Sequence, residues 1–318
     1  MNTAAPGQAP RARQTGRTAY RLLATALRGK ILAAFSNAAY LYSSQQELLW
    51  LVGEGTPMHR RCVQISGPMP RLTADSLFRV EDQRLVIGSE ISVDFSRASI
   101  WEPSRFSSSD AIAMTALPER VCSTMSTLEG LWPPKGLGNL LPEIMLIPQD
   151  HGAPRSLQKL DAISSLAWPT VQRIAKACLA HDIPQICQQA KALVGLGEGL
   201  TPSGDDFVGG LLFCRAILQS LYPELSCLEF TDQHDFIEDL KPYTNIISFT
   251  ILKDHADGYA ADTLHRFVNS LLAGESLDSI CPLASEITQI GHSTGWDLLT
   301  GVLTGMLLVF HRHEPCRH

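Results

Sequence analysis

The feature that most constrains this chain is a change of apolar rhythm partway along it. Through residues 31–42, 47–52, 61–66, 76–80, 84–87 and 90–95 the apolar side chains fall in short β-like runs, parted by Gly, Pro, Asp and Ser. Turn signals at roughly 8–12-residue spacing suit an antiparallel sheet or a small barrel, in which each strand reverses before the next one pairs. Beyond Gly152 the period becomes helical, over residues 156–168, 169–181, 183–194, 205–220, 235–253, 259–273, 276–290 and 296–312. The two periods bury different faces of the backbone. The chain is therefore expected to be α+β, with a β-rich amino-terminal half and a helical carboxy-terminal half.

Three parts follow from this reading. Residues 1–18 are expected to be a disordered tail, 19–149 a β-rich domain and 150–318 a helical domain. A short helix is expected over residues 17–27, through Tyr20, Leu23, Ala24 and Leu27. A proline-rich bridge containing Trp101-Glu102-Pro103, Trp132-Pro133-Pro134 and Leu141-Pro142 joins the halves, with a helix between Ser109 and Leu131 and an end near Asp150-His151-Gly152.

Charge and cysteine usage exclude several classes of function. A net charge of -6 over 318 residues offers no basic footprint for nucleic acid or an anionic membrane. The long apolar stretch of residues 298–310 is interrupted by Gly301 and Gly305 and falls short of the roughly 20 residues of a spanning helix. None of the 8 cysteines forms a CxxC pair, and Cys214 follows Leu211-Leu212-Phe213, which is the usage of reduced, buried thiols. A cytoplasmic protein with small-molecule or protein partners is the expectation.

The densest chemistry lies in Gly195-Leu196-Gly197-Glu198-Gly199-Leu200-Thr201-Pro202-Ser203-Gly204-Asp205-Asp206, just before a strongly apolar helix. Glycines let a ligand approach the backbone, Ser203 is a natural N-cap, and amides left free at a helix start form an anion cradle. A plain loop between two helices needs one hydroxyl and one glycine, not this density of both beside paired acids. The segment lacks the GK[ST] ending of a Walker loop, and no GxGxxG runs from strand to helix.

The same scheme returns further along. Ser203-Gly204-Asp205-Asp206-Phe207-Val208-Gly209-Gly210-Leu211-Leu212 is echoed by Thr294-Gly295-Trp296-Asp297-Leu298-Leu299-Thr300-Gly301-Val302-Leu303. Two pseudo-equivalent buried helices, packed through small residues, are expected, with Gly204, Asp206, Gly295 and Asp297 converging if their starts lie on the same side. Between the copies, Thr244 and Ser248 stand four apart and share a face if helical.

Residues 195–209, 244–248 and 291–301, together with Asp94-Phe95-Ser96-Arg97-Ala98-Ser99-Ile100-Trp101-Glu102-Pro103, resemble the AllH-like family of oxamate carbamoyltransferase subunits. The resemblance extends over residues 28–310, and its specific part is GLGxGLTPSGDDF. It implies carbamoyl transfer between oxalurate and phosphate, giving oxamate and carbamoyl phosphate during allantoin and purine-nitrogen use. AllF-like and AllG-like subunits would complete the enzyme, and activity would require them.

Carbamoyl transfer needs an oxyanion stabilised and two anions held in line, which amides of a glycine loop and of helix starts can do. Asp206, Asp297 and Asp205 are the candidate catalytic acids. Gly197, Gly199, Thr201, Ser203, Gly204, Thr244, Asn245, Ser248, Ser293, Thr294 and Gly295 are the candidate substrate-binding residues. Carboxylates beside anionic substrates repel them unless a proton, a cation or a lysine or arginine intervenes. No cofactor is certain: a divalent metal such as Mg2+ at Asp206 and Asp297 is one reading, and positive charge from Lys191, Arg215, Lys241 or another subunit is another. Two further readings stay open, a non-catalytic subunit that binds a small carboxylate or assists assembly, and a metal-assisted amidohydrolase. His292 reads as structural, and His311, His313, His318 and Cys316 as a terminal cluster without a specific ligand.

Overall fold

The computed structural model describes residues 10–131, 134–149, 160–228, 230 and 232–310. The chain is mixed α+β and divides into two units, Met1–Pro103 and Ser104–His318. The first unit contains β1 (Arg11–Gly16), α1 (Arg17–Leu23), β2 (Arg28–Ala34), β3 (Ala38–Ser43), β4 (Leu48–Val52), β5 (Cys62–Ser66), β6 (Leu77–Glu81), β7 (Arg84–Ile87), β8 (Ile91–Asp94) and β9 (Ser99–Trp101).

Strands pair in the order β5-β4-β3-β2-β6-β7-β8-β1, and β1 returns to β5, so eight strands close into a barrel. β9 continues along β1 from Gln14, beyond the point where β8 pairs with Arg11. The hairpins are antiparallel as expected, whereas β4–β5, β1–β8 and β1–β9 run parallel. The β6–β7 hairpin turns on Asp82 and Gln83, with φ of 46° and 59°, the two-residue geometry that matches the twist of its strands. Ile31, Leu41, Leu51, Ile65, Leu85 and Val93 fill the interior and are fully buried. Each such side chain contributes roughly 1.5–3 kcal/mol by leaving water.

Two expectations change here. Residues 11–16 are strand β1, not part of a tail, with Ala12, Thr15 and Gly16 buried; residues 1–9 lie outside the described residues. Only Ala12 in this strand carries a core-type apolar side chain, so its strand character comes from backbone pairing on both edges. The run over 31–42 is two strands, β2 and β3, turned at Phe35-Ser36-Asn37.

The unit boundary falls after Pro103, well before residue 149, because the bridge contributes helices to the second core. Helix α2 (Leu117–Leu131) supplies Leu117, Val121, Met125 and Leu128, and α3 (Leu141–Leu146) supplies Leu141 and Ile144. The boundary expected at Asp150-His151-Gly152 lies outside the described residues.

The remaining helices are α4 (Ala162–Ala180), α5 (Ile183–Leu193), α6 (Ser203–Leu221), α7 (Gln233–Leu240), α8 (Ile246–Ala256), α9 (Asp262–Leu272), α10 (Leu277–Thr288) and α11 (Thr294–Gly305). The helices expected on either side of Pro169 are one, α4, started by Asp161, whose side chain accepts from the Ser164 amide. The single helix expected over 235–253 is two, α7 and α8, parted at Pro242, with Asn245 capping the second. Among the described residues no helix is long and apolar enough to cross a membrane.

At the centre lie α6 and α11, packed side by side, with Phe207, Phe213, Leu299, Val302 and Leu303 fully buried. Their approach is close. A Cβ on Gly210 would stand 2.2 Å from the Leu298 carbonyl oxygen, and one on Gly301 would stand 2.0 Å from the Phe207 carbonyl oxygen. Residues 207 and 210 correspond to 298 and 301 in the repeat, so the contact is reciprocal, as across a two-fold axis.

Candidate functional site

The repeat extends to the turns in front of the two helices. Leu196 N–H donates to the Leu193 carbonyl at 3.0 Å, and Ile290 N–H to the Ile287 carbonyl at 2.9 Å. Gly204 N–H donates to the Leu196 carbonyl, Gly295 N–H to that of Ile290, and the amides of Asp206 and Asp297 to Pro202 and Ser293. Gly204 and Gly295 are packing glycines: a Cβ on either would stand 1.9 Å from a carbonyl oxygen, of Leu193 and Ile287 respectively. The first turn is three residues longer and carries two glycines, Gly197 and Gly199, where the second carries Gly291.

That longer turn is held from outside by α8 and the residues before it. Asp205 accepts from the Gly195 amide at 2.5 Å through Oδ1, and from the hydroxyls of Thr244 and, at 2.6 Å, Ser248 through Oδ2. Asn245 caps α8 through Oδ1 and donates from Nδ2 to the Leu200 carbonyl at 2.8 Å. Asp205, Thr244, Asn245 and Ser248 thus use their polar atoms on the frame of the loop. Gly197 has φ of +116°, a left-handed conformation that a side chain would strain, and a Cβ there would also crowd Ser203 N at 2.8 Å. Among the described residues the amides of Gly197, Glu198, Gly199 and Leu200 make no backbone hydrogen bond. Gly199 faces open space.

Asp206 and Asp297 stand in the first turns of α6 and α11 and are buried, 3% and 0% exposed. Burial holds the Asp206 carboxyl well above the usual carboxylate range; the charge of Asp297 adds to this, hydroxyls of Thr294 and Thr201 oppose it, and Asp205 adds a little more. Burial likewise pushes Asp297 up to about 6, against the Leu137 amide and the Ser203 and Ser293 hydroxyls, with Asp161 adding to the rise. A helix N-terminus favours a carboxylate by only about 0.3–1 kcal/mol at exposed sites, whereas effective desolvation costs several. Burial therefore outweighs the dipole. The Oδ2 atoms of both residues are buried without a hydrogen-bond partner of good geometry.

Four hydroxyls flank the pair. Thr201 and Thr294 lie 3.1 Å apart, and Ser203 and Ser293 lie 3.5 Å apart, each couple joining the first helix start to the second. Thr201, Ser293 and Thr294 are half-buried.

One wall of the site was not anticipated. The 3-10 turn Gly136–Leu140 lies against the start of α11, and Leu137 N–H donates to Asp297 Oδ1 at 2.7 Å. Gly136 has φ of +53°, and a Cβ there would stand 2.4 Å from the same oxygen. Its carbonyl accepts from Ser164 Oγ at 2.8 Å and Asn139 Nδ2 at 2.9 Å, tying the turn to the start of α4. The available signal was Gly136-Leu137-Gly138, a repeat of Gly195-Leu196-Gly197 inside a bridge that otherwise reads as linker.

The cations considered for the site are engaged in other contacts. Lys191 pairs with Asp239 at 3.1 Å and lies over the Tyr243 ring, Lys241 lies over the Phe249 ring, and the Arg215 guanidinium donates to Gln219 and Gln233. Among the described residues no three His, Cys, Asp or Glu side chains are grouped to hold a metal. A divalent ion at Asp206 and Asp297 would draw its other ligands from hydroxyls, substrate or water. His292 is exposed in the second turn, and His311, His313, Cys316 and His318 lie outside the described residues.

No solved structure matches the chain. Residues 193–306, from the last residue of α5 through α11, match the protein family described as oxamate carbamoyltransferase subunit AllH, so the likeness rests on the stretch that builds both helix starts.

Proposed function

We propose that this chain is a subunit of a carbamoyltransferase that acts on oxalurate and phosphate to give oxamate and carbamoyl phosphate, and that it works with partner subunits of the AllF-like and AllG-like kinds. The observation that carries the reading is the convergence of two equivalent helix starts, with a lengthened glycine turn whose amides at residues 197–200 have no backbone partner among the described residues. Such amides bind phosphate and carboxylate oxygens and stabilise the oxyanion that forms when phosphate attacks the carbamoyl carbon. Asp206, one of the two proposed catalytic acids, tolerates an anion beside it because burial favours its neutral form; burial raises the other, Asp297, only to about 6. Positive charge for the phosphate comes, in this reading, from a partner subunit.

The depth of the carboxyl pair favours a second reading, a subunit that binds a small carboxylate and performs no chemistry. Phosphate-dependent breakdown of oxalurate, measured with the chain alone and with both partners, separates the two. Carbamoyl phosphate formed only by the full mixture, and reduced roughly 10²-fold or more in Asp206→Asn and Asp297→Asn, is the expected result. Wild-type rates in both variants would leave the binding role.

A further inference from the structure

Helix α2 carries a charge into the edge of the helical core. Its residues Leu117, Val121, Met125 and Leu128 belong to that core, and the helix packs against α3 and α10. Arg120 and Thr124, four apart, share a face at the flank of this apolar stripe. Thr124 is 1% exposed and Arg120 is half-buried. The Nε and Nη2 atoms of Arg120 and the hydroxyl of Thr124 are buried, and among the described residues none of the three has a hydrogen-bond partner.

Both conditions are unusual for their residue types. A threonine inside a helix commonly bonds back one turn, as Thr127 does in the same helix, donating to the Ser123 carbonyl at 2.8 Å, and as Thr250, Thr300 and Thr304 do elsewhere. Thr124 keeps its hydroxyl free of that bond. A guanidinium stays charged at every pH at which a protein is folded, so Arg120 cannot escape burial by losing its proton, as a buried acid or histidine can. A buried charge left without a counter-charge is strongly destabilising. Nε and Nη2 also form the edge of the guanidinium that offers two parallel N–H donors to a carboxylate. Arg79 uses the same edge in this way, donating from Nε and Nη2 to the two carboxylate oxygens of Glu81 at 2.8 and 2.9 Å.

We propose that Arg120 and Thr124 form a binding site on α2 for a small monocarboxylate. The two carboxylate oxygens accept from Nε and Nη2 of Arg120, and one of them also accepts from the Thr124 hydroxyl. One guanidinium charge matches one carboxylate charge; a phosphate dianion would carry an unmatched negative charge into apolar surroundings that supply only three donors. Enclosure sets the size. All three donor atoms are covered, so a ligand of a few atoms is admitted by a small shift of side chains, whereas an acidic side chain on another subunit would need the guanidinium edge at the surface. The inference does not depend on the carbamoyltransferase reading.

Thermal unfolding of the purified chain in sodium acetate, against sodium chloride at equal ionic strength, tests the site. The wild-type midpoint is expected to rise saturably with acetate, since a ligand that binds only the folded state stabilises it. Arg120→Met is expected to abolish the saturable rise and, in chloride, to unfold at a higher temperature than the wild type, because it takes an unpaired charge out of the core. Thr124→Val should retain the rise but require roughly tenfold more acetate. No saturable rise in the wild type, or the same rise in Arg120→Met, overturns the proposal, and so does a lower midpoint for Arg120→Met in chloride, which would mean that the guanidinium is already paired. A second readout uses the wild type alone. The Nε–H nuclear magnetic resonance signal of Arg120 is expected to move downfield when acetate or oxamate is added. A signal that ignores both and moves only when partner subunits are added would assign the guanidinium to a partner's carboxylate and overturn the small-ligand site.

Discussion

Asp297 affects stability with a sign opposite to that of a salt-bridged aspartate. Its folded pKa of about 6 lies above the unfolded value of roughly 3.9, so between these two pH values the native state binds more protons than the unfolded chain. Its contribution is most favourable below the unfolded value, declines as pH rises toward about 6, and is level beyond. Two units of difference correspond to on the order of 2–3 kcal/mol. Denaturant unfolding of wild type and Asp297→Asn across this window should give a stability difference that shifts against the wild type as pH rises. Taking the difference cancels His255 and His265, which burial lowers to about 3 and about 4 and which therefore weaken the fold on the acid side. Parallel curves would mean that Asp297 titrates normally. Asp206 and Asp297 stood out in the sequence because each fills the same slot in a repeated scheme, but the chemistry of Asp205 did not. Whether an acid beside a helix start points at a ligand or ties down a loop depends on Thr244 and Ser248, whose positions only the packing of α8 fixes.

At the scale of elements, the reciprocal glycine contact between α6 and α11 sets how close the two helix starts can come. Gly210→Ala and Gly301→Ala should each destabilise by roughly 1–3 kcal/mol, since each methyl would collide with a backbone carbonyl that has no room to retreat. The two sites share one gap, so the double variant should cost clearly less than the sum, by more than the ~0.5 kcal/mol scatter of independent sites. A thermodynamic cycle from denaturant unfolding measures this, and simple additivity would contradict the shared gap. These helices were legible because long apolar periods and small residues at matching places survive in one dimension. The strands β1 and β9 and the turn at Gly136 were not, because what fixes them is pairing with distant backbone: β1 with β5, and the Leu137 amide with Asp297. Pro169 misled for a related reason, since a proline breaks an isolated helix more readily than one whose faces are held by a core, as Trp168 and Val171 hold this one.

At the scale of the molecule, every residue assigned to the candidate site belongs to the second unit, and the barrel closes its own strand edges with its own interior. Residues 10–103 expressed alone should therefore unfold in one cooperative transition with a β-type circular dichroism spectrum, whereas a featureless transition would show that the barrel depends on the rest of the chain. The α+β division was legible from the change of apolar rhythm; the boundary after Pro103 was not, because the prolines of the bridge imitate a linker while Leu117, Val121 and Ile144 join the helical core. The paired helix starts carry a last implication. Two interchangeable halves would receive a molecule equally well in either direction, yet the lengthened turn stands on one side and Trp296 takes the place of Asp205 on the other. That inequality supplies a sense of direction, so whatever settles between the two starts can be read head from tail.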